Sequence, residues 1–155
     1  MAQEIERKFL VRDIQPPPWK KLPGRVYRQG YLSADEQRSV RVRLSSDTAF
    51  LTIKGPTRNA VRDEFEYQIP LQDAEQILHL CVQPLIEKKR YVVQHGKHAW
   101  EIDEFFGENA GLVLAEIELA DVDEEFEKLT WVGQEVTHDA RYYNANLARH
   151  PFSSW

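Results

Sequence analysis

Along this chain apolar residues recur at every second position far more often than at every third or fourth. Period two sends successive side chains to opposite faces of an extended backbone, so the pattern predicts β-strands over most of the length. The strands it predicts run roughly over 2–12, 25–33, 39–46, 49–55, 60–70, 84–95, 98–106 and 111–120. Turn-forming residues separate them: Ser46-Asp47, Gly55-Pro56 and His95-Gly96-Lys97, with Pro16-Pro17-Pro18 and Pro23-Gly24 marking a loop between the first two. Helical spacing is confined to three short places. Gln72–Leu80 sets Ala74, Ile77 and Leu78 on one stripe that continues to Cys81. Asp123–Leu129 opens on acidic residues, which suit a helix N-terminus. A third short helix is expected from Asp139 into Arg141–Leu147. Strand following strand in this order predicts a mainly β (α+β) fold, antiparallel and covered by a few helices, rather than a βαβ fold.

Splitting each strand by parity gives two faces of different chemistry. One face carries Glu4, Glu6 and Lys8; Arg41 and Arg43; Thr52 and Lys54; and Arg62, Glu64, Glu66 and Gln68. It continues with Lys88 and Arg90, Glu101 and Asp103, and Glu116 and Glu118. The other face is apolar, as in Ile5, Phe9 and Val11 or Val113, Ala115 and Ile117. The second strand is the weak case, setting Tyr27, Gln29 and Tyr31 against Val26, Gly30 and Leu32. An ordinary amphipathic sheet wets its charged face, but a solvated face mixes signs, and these doublets are same-sign. Two carboxylates about 4 Å apart repel by about 4 kcal/mol at an effective dielectric near ~20. Neighbours two apart on a strand are further separated and repel less, but the arrangement recurs in four strands. A sheet closed on itself makes sense of it, because the charged face then becomes a lumen. Clustered carboxylates suit hard divalent cations such as Mg²⁺ or Mn²⁺, and clustered Arg and Lys suit phosphate oxygens. A lumen holding both points to a metal-bound polyphosphate.

Composition narrows the setting. The 155 residues fit one domain, 1–155, and 42% apolar with 29% charged residues is an ordinary globular balance. A net charge of −5 makes nucleic acid a poor partner for the surface, while 20 basic residues suffice for an anion pocket. There is no apolar run of membrane-spanning length, the start is charged from Glu4 onward, and Cys81 is the lone cysteine. A cytoplasmic protein with neither membrane nor nucleic-acid partners is expected, and leftover apolar surface outside the barrel suggests a homodimer.

The ordered set of motifs is specific. Glu4-x-Glu6-x-Lys8, Arg41-x-Arg43, Thr52-x-Lys54 and Arg62-x-Glu64-x-Glu66 are followed by Lys88-x-Arg90, Glu101-x-Asp103, Glu116-x-Glu118 and a closing Arg141-Tyr142-Tyr143-Asn144. Over nearly its whole length the chain resembles the CYTH superfamily, the triphosphate tunnel metalloenzymes, and in size its short single-domain bacterial members. The resemblance implies an eight-stranded antiparallel closed β-barrel holding a triphosphate. It implies that Lys8, Arg41, Arg43, Lys54, Lys88 and Arg90, with Arg62 and Arg141 as further candidates, grip phosphate. Glu4, Glu6, Glu64, Glu66, Glu116 and Glu118 would gather about Mg²⁺ or Mn²⁺, with Glu101 and Asp103 holding or orienting lumen cations. Glu64 or Glu66 would act as base toward a water, and Lys88 or Arg90 would stabilise the leaving phosphate. Family members hydrolyse inorganic triphosphate, thiamine triphosphate or RNA 5′-triphosphates, or cyclise ATP. This short chain has no Gly-rich nucleotide loop and no evident adenine site, which favours inorganic tripolyphosphate, split to pyrophosphate and phosphate. An adenylate cyclase, a thiamine triphosphatase and a non-catalytic polyphosphate- or nucleotide-binding module are the alternatives.

Other signals have plainer readings. His95 and His98 flank a surface turn, Cys81 is expected as a buried inert thiol, and Trp19, Trp100, Trp131 and Trp155 as packing or surface aromatics. Trp131–Glu135 and the tail around Arg141 are expected to plug one barrel end.

Overall fold

The computed structural model describes residues 3–155. Eight strands form where alternation predicts them: β1 (Gln3–Val11), β2 (Gly24–Asp35), β3 (Arg38–Leu44), β4 (Ala49–Lys54), β5 (Val61–Ile69), β6 (Ile86–His95), β7 (His98–Phe105) and β8 (Val113–Glu118). Residue 2, where the first predicted strand begins, lies outside the described residues. All pairings are antiparallel, and the ring runs β5-β4-β3-β2-β6-β7-β8-β1 and closes through β1 onto β5. Closure is short, Gln3 to Ile5 opposite Asp63 to Val61, while the other edge of β1 pairs with β8 through Glu6–Leu10.

The outer face of the ring is covered in two places. Phe9, Trp100, Ile102 and Ile117 pack under Trp19, Trp131, Phe126 and Leu129 from the long connections. Val42, Leu44 and Ala49 pack under α1 (Leu71–Leu78), which buries Ala74 and Leu78. Cys81 is buried at the end of that helix, its thiol donating to the Ile77 carbonyl. β2 passes so close there that a Cβ on Gly30 would stand 2.6 Å from that of Cys81. Elsewhere Ile53, Phe65 and Tyr67 remain exposed on the outer face of β4 and β5. No helix among the described residues is long and apolar enough to cross a membrane.

At one end of the ring the lumen face itself turns apolar. Leu10, Ile86, Phe105 and Leu114 share the parity of Lys8, Lys88, Asp103 and Glu116, and they meet Leu147 and Ala148 of α2 (Asn144–Arg149). The C-terminal tail is therefore the plug, as expected. Trp131–Glu135 is not. Its residues form a ninth strand, β9 (Val132–Glu135), on the stretch of the β1 edge that β5 leaves free, with Arg7 clamped bidentately to Glu135. The helix expected at Asp123–Leu129 does not form. Nucleating so short a helix is costly, and this segment is instead held by Phe126 against Phe9 and Trp100 and by Glu124 on His98 and the Ala120 amide. The third expected helix is split: Ala140–Tyr142 is a 3-10 turn capped by Asp139, and Tyr143 is extended before α2 begins.

Candidate functional site

The charged face lines a cavity of about 300 Å³. Its seven Lys and Arg residues, Lys8, Arg41, Arg43, Lys54, Arg62, Lys88 and Arg90, are seven of the eight cations expected of it, all but Arg141. Of the eight expected acids it receives seven, all but Asp103, and adds Asp35 and Glu36 from the β2–β3 turn.

The signs are segregated around the ring. β3, β2 and β6 are consecutive, and they hold Arg41, Arg43, Lys88 and Arg90. β8, β1 and β5 are consecutive on the opposite side, and they hold Glu116, Glu118, Glu4, Glu6, Glu64 and Glu66. One wall is thus mainly cationic and the facing wall mainly anionic. Lys8 and Arg62 are the cations of the acidic wall, and Lys54 stands beside it on β4.

On the basic wall some cations are satisfied internally and others are not. Arg90 forks Asp103 at 2.7 and 2.9 Å and reaches Glu101 at 2.9 Å. Lys88, 1% exposed, bonds Asp103 at 2.8 Å and the Asn144 side-chain Oδ1 at 3.0 Å. Burial opposes the Asp103 charge, but Arg90 and Lys88 outweigh it and hold the carboxyl far below its ordinary range. Burial pushes Lys88 down to about 7; Asp103 resists this while Arg90 and Arg43 add to it. Arg43 has no carboxylate partner among the described residues. Its Nε donates to Gln29, it stacks over Tyr27 at 4.8 Å, and burial followed by repulsion from Arg41 and Arg90 lowers it to about 10. The Nε of buried Arg41 has no partner among the described residues, although its other arm reaches Thr52 at 3.2 Å and lies 3.8 Å from Glu66. Among the described residues Arg62 bonds only the Gly55 carbonyl. Cations left open in a buried wall are receptors for an anion.

The acidic wall mirrors this. Lys54 pairs with Glu4 at 2.7 Å and Glu64 at 3.2 Å, and Lys8 with Glu116 at 3.4 Å. Burial raises Glu4, Glu64 adds to the rise and Lys54 opposes it. Glu64 ends below its ordinary value, Lys54 outweighing burial. Lys8, with Arg90 and Lys88, likewise overcomes burial and brings Glu116 down to about 2. Glu6 and Glu118 stand directly opposite one another in the β1–β8 register, and neither has a cationic partner among the described residues. Burial, then Glu116 and Glu4, raises Glu6 well above its usual value. Burial, then Glu4, Glu64 and Glu101, raises Glu118. Like charges directly across a ladder are destabilising without a cation between them.

Two expected residues, Asp103 and Arg141, do not line the cavity. Asp103 is sealed behind the wall with both oxygens taken by Arg90 and Lys88; Glu101, which does line the cavity opposite Glu116, is turned to Arg90, so both carboxylates orient cations. Arg141 is outside the cavity: its guanidinium forks Asp139 and lies over Trp155, because the turn at Ala140–Tyr142 aims it outward. Residues not foreseen are Gln29, which the weak second strand obscured, and Asn144, visible beforehand only as the last letter of the tail motif.

A closed antiparallel ring with opposed basic and acidic walls defines a charged-tunnel protein. The CYTH domain model matches residues 2–151, and the chain belongs to the CYTH family. It is 48% identical over its full length to a protein of Acetivibrio thermocellus named inorganic triphosphatase, of which the match covers 99%. It is 35% identical to an inorganic triphosphatase of Nitrosomonas europaea over 94% of this chain and 96% of that one. The crystal structure of an inorganic triphosphatase, 33% identical, superposes with a TM-score of 0.65 over 94% of this chain and 97% of that one.

Proposed function

We propose that this chain is a divalent-metal-dependent triphosphatase that splits inorganic tripolyphosphate into pyrophosphate and phosphate. The observation that carries the reading is the pairing, across one cavity, of cations without counter-ions and carboxylates without counter-ions. Arg43 and the Arg41 Nε face Glu6 and Glu118, and Arg62, on the acidic wall, has no carboxylate partner among the described residues. A polyphosphate with a metal ion supplies both missing partners at once. The two full-length relatives named inorganic triphosphatase support the same activity.

The donor set fits a small hard cation such as Mg²⁺ or Mn²⁺, since the acidic wall offers only carboxylate oxygens. Among the described residues no three of them already converge on one point, which suits an ion that keeps waters and takes substrate oxygens as ligands. Glu4, Glu6 and Glu118, with Glu64, Glu66 and Glu116 beside them, would hold it. When bound, such an ion neutralises phosphate charge and acidifies a water. Arg41, Arg43, Lys88 and Arg90 on the opposite wall, with Lys8 and Arg62 on the acidic wall and Lys54 beside it, grip the phosphates. Glu66 has one oxygen held by Thr52 at 3.1 Å and the other open. Glu66, or Glu64, can take a proton from the attacking water, while the Lys88 ammonium stabilises the departing phosphate.

Phosphate release should be measured from tripolyphosphate, pyrophosphate, ATP and thiamine triphosphate, each with Mg²⁺ and with Mn²⁺. Release is expected from tripolyphosphate foremost. None from the folded protein with either metal rejects the reading, and faster turnover of ATP or thiamine triphosphate reassigns the substrate.

A further inference from the structure

A chain of neutral amides runs behind the basic wall. Arg43 Nε donates to Gln29 Oε1 at 3.1 Å, Gln29 Nε2 donates to Asn144 Oδ1 at 2.9 Å, and Lys88 Nζ donates to the same Oδ1 at 3.0 Å. The chain starts and ends on cations. Guanidinium and ammonium groups donate and do not accept, so they fix which way each amide faces: an oxygen toward Arg43, an oxygen toward Lys88, and the Gln29 NH₂ in between. Gln29 is wholly buried, and Asn144 is the first residue of the plug helix α2, anchored by Leu147 and Ala148 in the apolar end of the lumen.

We infer that Gln29 and Asn144 are positioning residues of the anion site, which aim Arg43 and Lys88 at the substrate without neutralising them. The inference rests on the triphosphatase reading above. Its physical content is the choice of a neutral acceptor. Arg43 and Lys88 repel each other within the basic wall, and a carboxylate between them would relieve that repulsion. It would also cancel the positive potential that an anion is to meet. An amide oxygen fixes direction through a hydrogen bond, leaves Arg43 without a counter-ion and adds none to Lys88 beyond Asp103. The plug accordingly has a second role beyond closing the lumen, since one of its side chains is the anchor for Lys88.

The inference separates stability from affinity, which a merely structural role does not. Asn144→Asp and Gln29→Glu keep shape and place a carboxylate beside the cations. Tripolyphosphate binding to wild type and both variants should be measured by titration calorimetry with a chelator present, so that no turnover occurs, alongside thermal melting. Expected are melting temperatures equal to or above wild type with affinity weakened at least tenfold. Asn144→Ala, which leaves Lys88 tethered by Asp103 alone, should lose affinity at roughly unchanged melting temperature. Affinity that merely follows melting temperature across the three variants, or wild-type affinity in Asn144→Asp, overturns the positioning role. Wild type that binds no tripolyphosphate under chelator overturns this inference alone, whereas no phosphate release from tripolyphosphate with either metal present removes the triphosphatase reading and this inference with it.

Discussion

At the scale of single residues, Lys88 and Ala60 show how the fold spends stability on its site. An ordinary lysine titrates near 10.5, whereas burial brings Lys88 to about 7. The folded form therefore sheds a proton that the unfolded form keeps. Lys88 costs stability in full below pH ~7, and that cost shrinks as pH rises from there toward the unfolded value. A bound polyphosphate favours the charged form, so binding above pH ~7 must draw a proton from solution, and affinity should fall as pH rises. Calorimetry at pH ~8 in buffers of differing ionisation enthalpy should show uptake approaching one proton per tripolyphosphate, and Lys88→Met should abolish it; equal apparent enthalpies in all buffers for wild type would refute the assignment. The loss of this one stabilising cation is expected to lower turnover by about 10²–10³-fold. Ala60 is a different expense. It sits at φ +69°, after Asn59 at +51°, in a turn where Arg58 and Val61 exchange two backbone bonds. Left-handed backbone disfavours a Cβ, yet the Ala60 carbonyl receives the Glu6 amide and so pins β1 beside its lumen carboxylate. Ala60→Gly is expected to stabilise the protein by about 0.5–1 kcal/mol in urea unfolding.

At the scale of elements, what the sequence discloses depends on whether an element decides its own burial. The eight ring strands are legible because each has one face toward the lumen and one toward a covering layer, and period-two alternation records that directly. β9 is only Val132–Glu135, and it is a strand because β5 vacates the edge of β1 there and Arg7 grips Glu135, neither of which local pattern encodes. Asp123–Leu129 carries helical signals but is claimed by Phe9, Trp100 and His98. The same distinction applies to the site. Same-sign doublets announce the lumen, whereas nothing in the pattern tells that Asp103 is consumed by Arg90, that Arg141 turns outward, or that two uncharged amides hold the cations. The plug tests this most simply. Leu147 is wholly buried among lumen-face apolar residues, so Leu147→Ala should cost about 2–5 kcal/mol. Because α2 also presents Asn144, the variant should weaken tripolyphosphate binding at temperatures well below its melting point; intact binding there would show the plug to be a passive stopper.

At the scale of the whole molecule, the ring is a container for charge separation. Placing the cations on β3, β2 and β6 and the carboxylates across from them on β8, β1 and β5 forgoes much of the pairing that would stabilise an empty tunnel. Where pairs do form, as Lys54 with Glu64 or Arg90 with Asp103, they tie neighbouring strands and leave the facing walls unreconciled. Glu6 and Glu118, without a cationic partner among the described residues, are the clearest trace of this, set directly opposite each other by the β1–β8 register. A protein so arranged should be more stable loaded than empty, and removing the repulsion should imitate loading. Glu6→Gln is therefore expected to raise the melting temperature of the metal-free protein by a few degrees, while shrinking the rise that millimolar Mg²⁺ or Mn²⁺ produces in wild type. Were Glu6→Gln to melt lower than wild type without metal and still respond fully to it, the acidic wall would be held by interactions other than the cation that its geometry invites.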